Sequence, residues 1–273
     1  MEYNRITSGR KFKILGKKDG TKEDFKKLIM REISEGRPVI ALGVVGPPEA
    51  SIIAGYKNNG DALLRWSFFQ NSIEFTKGVT FDESGYFICS NWWENTEAVM
   101  SIGEEAGEQV AVKELLENAF QVLTTDIIKV SDGEWGAYFG GQRAYNAWAD
   151  AMSDDVNFPR DSQLPLLIQH SMCFGDATVM VGEGRSYAAG YINWLGGQNP
   201  ELSYECKKCA ENFLLAADCT NNMRTLIEGD NNEINIEKFS GKNTRMQIVE
   251  LIKRAQQNEA KAGDFLKAII CKI

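Results

Sequence analysis

Apolar positions along the chain follow two regimes. Up to about residue 103 they come in short runs broken by Gly, Pro and Asn; beyond it they recur at three- and four-residue spacing over long stretches. Val39–Val45, Ala50–Ala54 and Ala62–Trp66 are dense apolar runs, separated by Gly46-Pro47-Pro48 and by Lys57-Asn58-Asn59-Gly60. Runs bounded in this way predict strands buried on both faces. Asn59-Gly60, two residues that tolerate positive φ, predicts a hairpin of Ser51–Tyr56 against Ala62–Ser67. Ahead of these, Arg10–Leu15 alternates weakly and predicts a short strand. Thr21–Glu35 predicts a helix with Phe25, Leu28, Ile29 and Ile33 on one face and Thr21 or Asp24 serving its first amides. Gly36 stands where such a helix ends, and Pro38 forbids its continuation. Phe68–Thr80 reads as irregular chain or an edge strand. Tyr86–Ser90 and Val99–Ile102 predict two further strands around the loop Asn91–Thr96.

In the second regime, Val110–Thr125, Gln142–Ser153, Leu164–Leu195, Glu201–Leu226 and Asn243–Ile270 predict helices. Gly175, Gly182 and Gly184 are candidate kinks in the third. Ser131–Gly141, rich in Gly and aromatics, reads as a connecting loop or a lid. The change of period places a sheet-rich region at 1–105 and a helical region at 106–273. The fold class is therefore α+β, a small, mostly antiparallel sheet with a C-terminal helical bundle. A single α+β domain with the helices packed on the sheet fits the same pattern.

The bulk properties narrow the function classes. The chain has 273 residues, 43% hydrophobic and 25% charged, an ordinary globular composition. No apolar run reaches the ~20 residues that span a bilayer, and the N-terminus lacks the pattern of a secretory signal. A cytoplasmic location with no membrane partner, and six reduced cysteines, are the resulting expectations. A net charge of −8 speaks against nucleic acid. Residues 1–37 nevertheless hold 11 Lys/Arg against 6 Asp/Glu, so the remainder carries −13. That basic segment reads as a solvated helix face or as the complement of an acidic surface within the protein or a homo-oligomer.

Several constellations bear on chemistry. Cys206-Lys-Lys-Cys209 has a zinc-like spacing, yet it lies in a helical segment with no second Cys/His pair at finger spacing, so no metal is expected. His170, the sole histidine, is the one side chain with an ordinary pKa near neutrality; at helical spacing it shares a face with Cys173. Trp92 and Trp93, being consecutive, cannot both point to one face of a strand. The Gly133–Gly141 stretch lacks the strand–Gly-x-Gly-x-x-Gly–helix order of a dinucleotide site, and no cofactor is expected. Arg185 and Glu183 are candidates for a buried ion pair aimed at the sheet.

Glu49-Ala-Ser-Ile-Ile-Ala-Gly55-Tyr56, a polar turn, and Gly60-Asp-Ala-Leu-Leu-Arg65-Trp66-Ser67 resemble one half of a papain-like fold. The pattern is similar to that of bacteriocin leader peptidases and of the butirosin-biosynthesis acyltransferase family. Ala144–Ala149 and Glu183–Ala189 are similar to the helical region that follows the peptidase-like domain in uncharacterised bacterial relatives. The resemblance implies a papain-like half domain, with departures. Glu49 stands where the family keeps its histidine, Arg65 or Trp66 where it keeps Asn or Asp, and no cysteine precedes Cys89. A carboxylate at position 49 disfavours a neighbouring thiolate. The reading that follows is a catalytically depleted pseudoenzyme that binds a small molecule or peptide in an aromatic cleft between sheet and helices. Glu49 would be a base or a recogniser of amines. Tyr56, Trp66, Trp92, Trp93, Tyr145, Trp148, Arg185 and His170 would line the cleft. The alternatives are an acyltransferase or amide hydrolase completed by an upstream or partner-supplied cysteine, and a protein-interaction module docking through Lys17, Lys18, Lys26 and Lys27.

Overall fold

The computed structural model describes residues 10–43, 50–67, 70, 80–105, 110–129, 137–159, 164–229 and 234–273. The chain divides into two compact units, Met1–Val110 and Ala111–Ile273. The fold is α+β, with a seven-stranded antiparallel sheet in the first unit and helices dominating the second.

In the sheet unit the elements are β1 (Arg10–Gly16), α1 (Lys22–Ser34), β2 (Val39–Leu42), β3 (Ala50–Lys57), β4 (Ala62–Trp66), β5 (Thr80–Phe81), β6 (Phe87–Cys89), the short helix α2 (Trp92–Asn95) and β7 (Ala98–Glu105). The strand order is β1-β7-β2-β3-β4-β6-β5. Helix α1 begins as its sequence dictates. The Thr21 hydroxyl accepts from the Asp24 amide, and the Asp24 carboxylate accepts from the Thr21 amide at 2.9 Å, a closed capping box. It ends where Gly36 takes a left-handed φ of 76°. Phe25, Leu28 and Ile29 of α1 join Val39, Ala41, Ile53, Leu63, Trp92 and Val99 in one core.

That core covers one face of the sheet only, which corrects the expectation of strands buried on both faces. Burial alternates along β2 and β3, and Leu42 and Ile52 remain 41% and 42% exposed. A dense apolar run cannot by itself tell a strand covered once from one covered twice. The hairpin also differs in detail. Tyr56 pairs with Leu63 and Lys57 with Ala62, so the turn spans four residues, not two. Asn58, Asn59 and Gly60 are all left-handed (φ 50°, 54° and 84°). Glu49 and most of Phe68–Thr80 lie outside the described residues.

The helical unit comprises α3 (Val112–Thr124), β8 (Ile127–Lys129), β9 (Ala137–Phe139), α4 (Gly141–Ser153), α5 (Leu164–Gln198), α6 (Ser203–Ile227), α7 (Ile236–Ser240) and α8 (Lys242–Lys272). Helix α5 is a single unbroken helix; Gly175, Gly182 and Gly184 do not interrupt it. The contacts fix an up-down-up-down bundle. A Cβ at Gly196 would meet Cys206, and one at Gly182 would meet Thr220, so α5 and α6 run antiparallel. Cys209 donates to the Ala262 carbonyl and Lys272 pairs with Glu205, so α6 and α8 do the same. Gln142 with Gln256 and Arg245 with the Met152 carbonyl set α4 antiparallel to α8. Lys113 reaches the Ile273 carbonyl, so α3 continues that fourth position at the far end of α8. The loop read over Ser131–Gly141 is in part a hairpin, because Ile127–Lys129 pairs with Ala137–Phe139.

Candidate functional site

Within the sheet unit, the aromatic candidates serve packing. Trp92 is 1% exposed, and its Nε1–H donates to the Gly60 carbonyl at 3.1 Å, tying α2 to the hairpin turn. Trp93 sets its ring edge-on to Phe25 at 4.9 Å and receives the Lys17 ammonium 5.4 Å above it. The two indoles lie on a helical turn, not a strand, and meet edge to face with 6.0 Å between ring centroids. Tyr56 packs half-buried against the same core, and Trp66 is half-buried on β4. The proposed basic docking face is also committed in part. Lys17 donates to the Glu94 carbonyl at 2.7 Å, while Lys26 is 7% exposed and pairs with Asp61 at 3.0 Å.

Within the helical unit, the sequence-read residues divide between two places. The first is a charged knot in the bundle core. Arg185 pairs through Nε with Glu259 of α8, and the Tyr145 hydroxyl donates to the same Glu259 oxygen at 2.8 Å. This corrects the expected Arg185–Glu183 pair. Two residues apart on a helix, their side chains point to different sides, and Glu183 lies exposed while Glu259 is buried. Burial, then the Glu259 charge, pushes the Tyr145 pKa far up. Burial works against the Arg185 charge, but the Glu259 contacts outweigh it and leave its pKa raised. Nothing in the sequence spacing joins 145, 185 and 259; only the bundle does.

The second place is a cavity of about 240 Å³ lined by Trp148, Phe158, His170, Cys173, Phe174 and Phe239, with Met152, Asn157 and two alanines between them. Trp148 and Phe174 stand 5.8 Å apart, and Phe239 packs 5.4 Å from both Phe158 and Phe174. His170 Nδ1 lies 3.0 Å from the Asn157 carbonyl. A carbonyl only accepts, so Nδ1 carries the proton and Nε2 is the acceptor of the neutral ring. Cys173 is exposed on the next turn of α5. Sequence reasoning reached Trp148, His170 and Cys173. It missed Phe158, Phe174 and Phe239, which read as ordinary apolar residues until three elements bring them together.

Three of the remaining cysteines are packing groups. Cys206, Cys209 and Cys219 are buried on α6, and burial pushes the Cys209 thiol up to about 12. Among the described residues no group of three His, Cys, Asp or Glu side chains is arranged to hold a metal. None of the helices in the described residues is long and apolar enough to cross a membrane.

No protein-family model matches the chain, and no curated protein matches it.

Proposed function

We propose that this is a ligand-binding protein whose helical unit holds a small aromatic molecule against Trp148, Phe158, Phe174 and Phe239. The observation that carries the reading is the cavity itself: four aromatic rings line an open cavity of about 240 Å³ beside one oriented imidazole. An apolar cavity of roughly 150 Å³ accommodates benzene, so this one has room for a fused second ring. Largely apolar walls with a few fixed polar groups are the usual composition of small-molecule sites. His170 Nε2 and the Cys173 thiol supply the polar side, selecting a ligand that donates one hydrogen bond.

The sheet unit, in this proposal, is a catalytically depleted relative of papain-like peptidases. Its support is β3, which carries Gly55-Tyr56 near its end and returns antiparallel through β4, with Arg65 or Trp66 where the family keeps Asn or Asp.

Calorimetric titration of the full chain with indole and with 2-naphthol tests the binding proposal. Saturable binding with a negative heat-capacity change is expected, weakened at least tenfold by Phe174→Ala. Absence of saturable heat with both compounds sinks it.

A further inference from the structure

Among the described residues two arginines are buried, and the chain treats them differently. Arg245, 2% exposed, gives Nε to the Ser240 carbonyl at 3.2 Å and Nη1 to the Met152 carbonyl at 2.8 Å; its Nη2 meets Asp155. Its guanidinium also lies 4.3 Å over the Phe158 ring. Arg65, at the core face of the sheet, is 0% exposed, and among the described residues Nε, Nη1 and Nη2 have no hydrogen-bond partner. It contacts the Phe87 ring, directly across the β4–β6 ladder, 4.9 Å from the guanidinium carbon.

A cation over a ring gains less than the desolvation of an ion costs. The ring does not balance the burial. Desolvation accordingly pulls the Arg65 pKa down to about 10, with the Cys89 thiol opposing only in part. At neutral pH the group is still a cation with five N–H donors and no acceptor.

A second orphaned polar group lies beside it. Ile53 faces Arg65 across the β3–β4 ladder, so Ser51, two residues along β3, lies diagonal to Arg65 on the same face. Ser51 is 1% exposed, and its Oγ has no hydrogen-bond partner among the described residues. The ladder is also bulged here: its register shifts between Ile53 and Gly55. Bulges re-aim side chains and gather where a sheet serves a site.

We infer that Arg65 and Ser51 form a binding site for a small oxyanion, a carboxylate or a phosphate group, on the core face of the β3–β4 ladder. The guanidinium fork matches two oxygens of such a group, and the Ser51 hydroxyl donates to it as well. This site lies in the sheet unit and does not depend on the aromatic cavity of the helical unit.

The test is thermal unfolding of the full chain in sodium acetate or sodium phosphate, against sodium chloride at equal ionic strength. The wild-type melting temperature is expected to rise saturably with at least one of the two oxyanions. Acetate alone assigns the site to a carboxylate-bearing ligand, and phosphate alone to a phosphorylated one; both results support the site. Arg65→Met removes the response, and in chloride it melts no lower than wild type, because an apolar chain has replaced an unpaired charge. Ser51→Ala keeps the response but raises the half-saturating concentration about two- to tenfold, the worth of one hydrogen bond. No saturable rise in the wild type, or an equal rise in Arg65→Met, overturns the inference. If Arg65→Met does not fold, an unchanged half-saturating concentration in Ser51→Ala does the same.

Discussion

Tyr145 and Glu259 meet in the core of the helical bundle, hydroxyl to carboxylate at 2.8 Å, 114 positions apart in sequence. The same carboxylate oxygen receives Arg185, so one acceptor joins α4, α5 and α8. A buried network of this kind holds helix register because each partner is costly to leave alone.

Glu259→Ala is therefore expected to destabilise the helical unit by about 3 kcal/mol, since it strands both a guanidinium and a phenol. Tyr145→Phe removes one hydrogen bond and is expected to cost about 1–1.5 kcal/mol. Urea denaturation followed through helical circular dichroism measures both. Equal effects from the two substitutions would show that Glu259 is not the hub.

The same contact sets an alkaline limit. The folded-state pKa of Tyr145 lies above its unfolded value of about 10. Between the two, the folded chain holds a proton that the unfolded chain has released, so stability falls as pH rises beyond about 10. Tyr145→Phe is expected to flatten that part of the stability profile and to leave the profile below pH 9 unchanged in shape.

At the acid end the group to follow is Asp155. Hydrogen bonds from Lys242 and Arg245 hold its pKa down to about 2, below the ordinary 3.8. Its contribution is complete above the unfolded value and is lost as pH falls from about 4 to 2. Asp155→Asn is expected to lessen the acid dependence in that window, read as melting temperature against pH, with the rest carried by other paired carboxylates such as Asp82.

In the sheet unit, Gly60 has φ 84°, and a Cβ there would meet Met30 Sδ at 3.1 Å. Gly60→Ala combines a left-handed backbone with this crowding, and is expected to cost about 1–2 kcal/mol. Because the Gly60 carbonyl accepts from Trp92, tryptophan fluorescence should report the change with the unfolding midpoint. A neutral Gly60→Ala would mean that the turn relaxes freely.

Much of this architecture is legible in local sequence. The Thr21 cap, the Gly36 stop and the Phe25–Ile29 face are read within a dozen residues, because helix ends and faces depend on neighbours one turn away. Less of the candidate site is legible. His170 and Trp148 draw notice by residue type, but Phe174 and Phe239 look like any core residue until α5 and α7 place them together. The Ile127–Lys129 and Ala137–Phe139 strands escaped notice because each is three residues long, too short for alternation to show.

The sequence by itself determined the two regimes of periodicity, the longer strands and helices and the positive-φ turn, since each follows from short-range sterics and hydrogen bonding. Tertiary structure decided which face of the sheet is covered, that Arg185 meets Glu259 and not Glu183, and that Arg65 is buried with no hydrogen-bond partner among the described residues. Those outcomes depend on which distant segments exclude water from a side chain, and desolvation is a property of the packed fold, not of the local chain.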